Sequence, residues 1–295
     1  MSSTDTKPLV VGVDGSAGAR QAIRWAVRTA ALYDAPLLLT HALGVPDHYA
    51  GVLPPTPKVV DAVWARGNAL LNDAVRYAES LGAGDVRTEI REDSPNAVLL
   101  DVARGAQMLV LGAPEHHRLT DIVVLGPLAP QLSAHAPCPV VVVHGDQTDP
   151  ATAPVVVGVD GSPLSERALA LAFEEALRRR APLTAVHAFS GAFAEAVLAE
   201  PIPDWPPLDR LEREILAERL AAWSEKYPSV QVRRELVHQS PGPALIEFSR
   251  NAQLVVVGSR GLGGFRGLLL GSTSQKLIYH AACPVMVVRP EKAAD

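Results

Sequence analysis

The segment Gly258-Ser259-Arg260-Gly261-Leu262-Gly263-Gly264-Phe265-Arg266-Gly267-Leu268-Leu269-Leu270-Gly271-Ser272-Thr273 is the part of the chain best suited to hold an anion. It follows a short valine-rich run, carries five glycines after Gly258, and ends on Gly-Ser-Thr at the head of a helical pattern. Glycines admit positive φ and close backbone approach, and a helix N-terminus offers unpaired N–H groups with a favourable dipole. Arg260 and Arg266 add positive charge, so phosphate is the ligand chemistry that suits these residue types. The Walker pattern is excluded, since no Gly-Lys-Ser/Thr follows. The dinucleotide fingerprint fails too, because Gly261-x-Gly263 meets Arg266 three residues later, and NAD is the weaker alternative.

A second polar group, Asp160-Gly161-Ser162, ends the run VVVGVDGS, and the near copy LVVGVDGS places Asp14-Gly15-Ser16 146 residues earlier. The same offset of 146 relates His41 to His187, Ser94-Pro95 to Ser240-Pro241 and Gly112 to Gly258. It becomes 145 for Gly126 with Gly271 and Cys138 with Cys283, so the first half holds one extra residue between Gly112 and Gly126. The chain is one sequence written twice.

Elements that could position these groups alternate in each half. Short β-branched runs at residues 9–13, 37–43, 86–90, 108–111 and 140–143 are separated by longer stretches of helical period. Ala19, Ala22, Ile23, Ala26, Val27 and Ala30 form the apolar stripe of one such helix. The pattern predicts an α/β fold: two tandem doubly wound domains, each a five-stranded parallel sheet with four helices. The first domain is expected over 1–145 and the second over 155–295, with the aperiodic, Pro-bearing stretch 146–154 as linker. In such sheets ligands bind beyond the carboxyl ends of the strands, where strand order reverses, which brings Asp160, His187 and the glycine-rich segment to one place.

The 295 residues match two domains, since single domains run ~100–200 residues. With 48% hydrophobic and 20% charged residues the chain is neither disordered nor a coiled coil. A net charge of −5 lacks the basic footprint of nucleic-acid binding. No stretch approaches the ~18 apolar residues of a membrane span, and the chain reads as cytoplasmic. The two cysteines are too few for a disulfide framework or a four-ligand zinc site, and read as small buried residues. His116-His117 with Glu115 and Asp121 read as a solvated charged loop rather than a metal site. His41 and His187, at strand ends, read as packed or hydrogen-bonded histidines, and Trp205 as either a nucleotide cover or a packing residue. Asp160 on its own residues is open to a second role, capping the next helix.

The spacing Gly258-x2-Gly261-x9-Gly271-Ser272, the strand-one Gly-Val-Asp-Gly-Ser, the strand-two histidine and the closing Cys-Pro-Val resemble the universal stress protein family, in the tandem-domain form common in actinobacteria. The resemblance implies a strand order of 3-2-1-4-5 and ATP or a related adenine nucleotide held across strands one, two and four. On the matching positions, Val159 and Asp160 approach the adenosine, backbone at Ala188 reads the adenine edge, and Val257 and Gly258 flank the ribose. Ser259, Arg260 and Gly261 start the phosphate loop, and Gly271, Ser272 and Thr273 bind phosphate oxygens, with any magnesium carried by the phosphates. Asp14, Gly112 and Gly126 are the weaker first-half counterparts. There Glu115 replaces Gly261 and Pro127 replaces Ser272, which opposes a phosphate and removes donors.

The resemblance further implies an ATP-binding stress-response regulator without obligatory catalysis. Its rivals are a slow ATPase and a scaffold binding cyclic AMP or another ligand. It also implies pairing of the last strands, 140–143 with 285–288, as an internal pseudo-dimer that leaves Cys138 and Cys283 too far apart for a disulfide, and a possible homodimer of whole chains.

Overall fold

A computed structural model describes residues 6–44, 56–113, 128–145, 152–189, 205–262 and 269–290, with side chains from 209 onward in the segment that starts at 205. The chain divides into two compact units between residues 147 and 148. Residues 115–117, 121, 126–127 and 266, and the side chain of Trp205, lie outside this description.

The first unit runs β1 (Leu9–Gly12), α1 (Ala17–Tyr33), β2 (Leu37–Ala42), α2 (Pro57–Ser80), β3 (Val86–Arg91), α3 (Pro95–Val102), β4 (Met108–Gly112), α4 (Leu128–His135) and β5 (Val140–Val143). Every pairing within it is parallel, and the order is β3-β2-β1-β4-β5. The second unit runs β6 (Val155–Gly158), α5 (Pro163–Arg179), β7 (Leu183–Ala188), α6 (Trp205–Lys226), β8 (Val232–Val237), α7 (Pro241–Ser249), β9 (Leu254–Gly258), α8 (Ser272–His280) and β10 (Val285–Val288). Its parallel order is β8-β7-β6-β9-β10, so among the described residues each unit shows the expected five strands, four helices and 3-2-1-4-5 order.

Local sequence explains these elements. All six stripe residues of α1, from Ala19 to Ala30, are buried, and Ala168, Leu169, Ala172, Phe173 and Ala176 do the same on α5. Ser16 and Ser162 cap the two helices, their hydroxyls accepting from the Ala19 and Ser165 amides at 3.0 and 3.1 Å. The repeated Ser-Pro pairs start α3 and α7, with serine at the N-cap and proline in the first turn. Central strands are apolar on both faces because helices cover both, as a parallel sheet requires. Strand order reverses between β1 and β4, and between β6 and β9, which opens a crevice at the carboxyl ends of those strands. Among the described residues no helix is long and apolar enough to cross a membrane.

Candidate functional site

The crevice of the second unit is built on the turn after β6. Gly161 has φ of 81°, a left-handed backbone that glycine adopts at no steric cost, and this aims the Asp160 carboxylate inward. Asp160 Oδ1 accepts from the Ser162 amide at 2.9 Å, and Oδ2 accepts from the Leu262 amide, also at 2.9 Å, across 102 residues of sequence. Asp160 therefore serves both its own turn and the glycine-rich loop. Burial opposes its charge, but hydrogen bonds from the Ser162 side chain and amide, the Leu262 amide and the Ser165 hydroxyl outweigh that and hold its pKa below the usual carboxylate value.

The loop closes through its own ends. The Ser259 amide donates to the Val288 carbonyl and the Gly271 amide to the Ser259 carbonyl, both at 2.7 Å, while the Ser274 hydroxyl donates to the Gly258 carbonyl at 2.7 Å. Two of the expected site residues, Ser259 and Gly271, are bonded within the loop itself. Ser259 is buried with both backbone groups in use, and the Gly271 amide is committed to Ser259, so both residues brace the loop. Free donors begin one residue later: Gly271 is the N-cap, and the Ser272, Thr273 and Ser274 amides form the first turn of α8, which has no intrahelical acceptor for them.

Of the two properties expected of the loop glycines, close approach is the one seen at the described positions. Gly258, Gly261 and Gly271 do not have positive φ. They are needed for close approach: a Cβ at Gly261 would overlap Asp160 Oδ2, and one at Gly258 would stand 3.0 Å from Leu164 Cβ and 3.1 Å from the Arg260 carbonyl.

On the β7 side, His187 Nδ1 meets the Val159 carbonyl at 2.7 Å and Nε2 meets Glu212 at 3.1 Å. The Val159 amide donates to the Val186 carbonyl, so Val159, buried and with both backbone groups bonded, positions the strand end. Phe189 donates to the Val237 carbonyl on β8. Amide direction alternates along a strand, so the Ala188 amide points to the β6 side, where β6 has already ended. Glu212, and Arg219 lying against Gly161 and paired with Glu166 at 2.7 Å, carry no signature in sequence, because α6 brings them in from more than 20 residues beyond β7.

Comparison with known proteins gives a consistent answer. The universal stress protein family model matches residues 6–144 and again 152–289. A Mycolicibacterium smegmatis universal stress protein is 41% identical over 291 residues, covering 96% of this chain and 97% of its own. One from Mycobacterium tuberculosis is 40% identical over 288 residues, covering 95% and 96%. The chain belongs to the universal stress protein family. A solved universal stress protein from Archaeoglobus fulgidus shares the fold, with a TM-score of 0.70 at 16% identity and 96% of each chain covered.

The first half of this universal stress protein has the same turn in a different setting. Asp14 accepts from the Ser16 amide at 2.9 Å but is exposed, and Gly15, at φ 83°, meets Leu70 where Gly161 meets Arg219. His41 Nδ1 keeps the 2.7 Å contact with the Val13 carbonyl. Gly112 ends β4 against α1, where a Cβ would overlap the Gly18 backbone, so packing alone requires that glycine. Gly126 lies outside the described residues.

Proposed function

We propose that the second unit binds an adenine nucleotide, ATP, and that the protein is a nucleotide-responsive stress regulator without an obligatory chemical step. The observation that carries this reading is the Asp160–Leu262 bond at 2.9 Å, which ties the glycine-rich loop to the strand-end turn at the switch point, close to Gly271, the N-cap of α8. A phosphate suits the unpaired first-turn amides of α8, because backbone donors and a helix dipole favour an anion. In the bound state Ser272 and Thr273 supply amides and hydroxyls, Arg260 supplies charge, and any magnesium is carried by the phosphates. Val257 and Gly258 flank the ribose beside Asp160, and the Ala188 amide meets the adenine edge.

The first half is proposed not to bind. Glu115 aligns in sequence with Gly261, where in the second unit even a Cβ overlaps the Asp160 carboxylate, and its charge opposes a phosphate. Mass spectrometry of co-purified ligand, then calorimetry on stripped protein with ATP, ADP, AMP and cyclic AMP, tests the reading. One ATP per chain recovered unchanged supports it. Steady conversion to ADP supports the ATPase reading instead, and selective cyclic AMP retention supports a cyclic-nucleotide scaffold.

A further inference from the structure

We propose that Arg289 is a phosphate-binding residue of the second unit, acting with Arg260 to favour nucleotides that carry a polyphosphate over those with a single phosphate. This rests on the nucleotide reading above and adds a residue that the glycine-loop signature does not contain.

Position is the first argument. β10 pairs with β9 so that Val288 lies opposite Gly258, and the Ser259 amide donates to the Val288 carbonyl at 2.7 Å. Arg289 therefore leaves the sheet beside the strand end from which the loop departs, one residue past its last bond to that loop. It is half-buried, while Arg260 is exposed at the loop mouth.

The missing counter-charge is the second argument. Among the described residues neither guanidinium has a carboxylate partner, although other arginines of this unit do: Arg179 pairs with Glu175 and Arg219 with Glu166, each at 2.7 Å. Burial first, and then the charge of Arg260, pull the Arg289 pKa below its ordinary value, so a half-buried guanidinium stands within reach of a second, exposed cation. Such a pair is unfavourable empty and is relieved by an anion between its members. The α8 amides already suit one phosphate group, so two further cations call for a chain of them.

The repeat supplies a control. With offsets of 146 before the extra residue and 145 after it, Arg260 aligns with Pro114 and Arg289 with His144. The first half thus lacks both guanidinium groups.

The test compares wild type, Arg289→Ala and Arg289→Lys by calorimetry with ATP, AMP and sodium tripolyphosphate, with thermal unfolding confirming that each variant folds. Arg289→Ala is expected to weaken ATP and tripolyphosphate at least tenfold and AMP less than threefold, with Arg289→Lys recovering part of the loss. Equal weakening of ATP and AMP, or unchanged ATP binding, overturns the Arg289 assignment and leaves the nucleotide reading intact. Arg289-dependent binding of tripolyphosphate, with ATP no tighter than tripolyphosphate, overturns the adenine reading and keeps the assignment. Binding of neither ligand by wild type overturns both.

Discussion

Replacing Gly261 by alanine separates the roles of the loop and of Asp160. The new Cβ overlaps Asp160 Oδ2, and the cheapest relief is to swing the carboxylate away, which breaks its bond to the Leu262 amide. A hydrogen bond to an ionised carboxylate contributes ~1.5–3 kcal/mol, so the closed loop becomes less favourable by about that amount. If ligand binds only the closed loop, ATP affinity falls by about ten- to a hundredfold, since ~1.4 kcal/mol is tenfold. The Asp160→Ala change costs the same bond, but it also removes the atom with which the new methyl collides. In the double variant the alanine at 261 is therefore nearly neutral, and calorimetry on the four stripped proteins should give a coupling energy of about 1.5–3 kcal/mol. Additive losses, with coupling within about 0.5 kcal/mol of zero, would refute the view that Gly261 is required by Asp160.

Other outcomes follow from the same geometry. Asp14→Ala should leave ATP stoichiometry and affinity unchanged while Asp160→Ala weakens binding, and two comparable sites per chain in a titration would contradict this. Because the Asp160 pKa is lowered on folding, its contribution is fully present above the ordinary carboxylate value and is lost as pH falls through the lowered one. Asp160→Asn should thus be less stable than wild type by about 1–2 kcal/mol near neutrality, the gap closing in acid below that range; denaturant titrations showing a pH-independent gap would count against it. Cys138 and Cys283 are buried, and burial pushes both thiols up to about 12. Neither should react with a thiol reagent at mildly alkaline pH until the protein is denatured, and stoichiometric labelling of native protein would show otherwise.

Strand and helix positions were legible because apolar period and repeat agree. The run 140–143 is β5 without adjustment, and the α1 stripe is buried residue for residue. Histidines at the strand ends were read correctly as hydrogen-bonded, since a carbonyl lies within reach wherever a strand turns away. The glycines were the harder case. Composition allows both positive φ and close approach; the first belongs to Gly15 and Gly161 in the Asp-Gly-Ser turns, and the described loop glycines make room for neighbours. Which neighbour each makes room for depends on contacts across the sheet. Asp160 finds Leu262 only because β6 and β9 are adjacent, and Glu212 finds His187 only because α6 folds back over β7.

The bond between the Gly271 amide and the Ser259 carbonyl ties off the strand-to-helix junction like a drawn purse-string. Whatever lies between those residues hangs from a knot that the scaffold maintains, so its length is cheap to alter: an added residue in a loop of about ten changes the closure entropy by only ~0.1 kcal/mol. The extra residue that the first half carries between Gly112 and Gly126 falls in this same stretch. Closure entropy places almost no constraint on that length. A duplicated gene with this architecture can let one copy of the loop drift while both copies keep their sheets, and the drifted copy becomes a surface on which a new partner can be selected without endangering the fold.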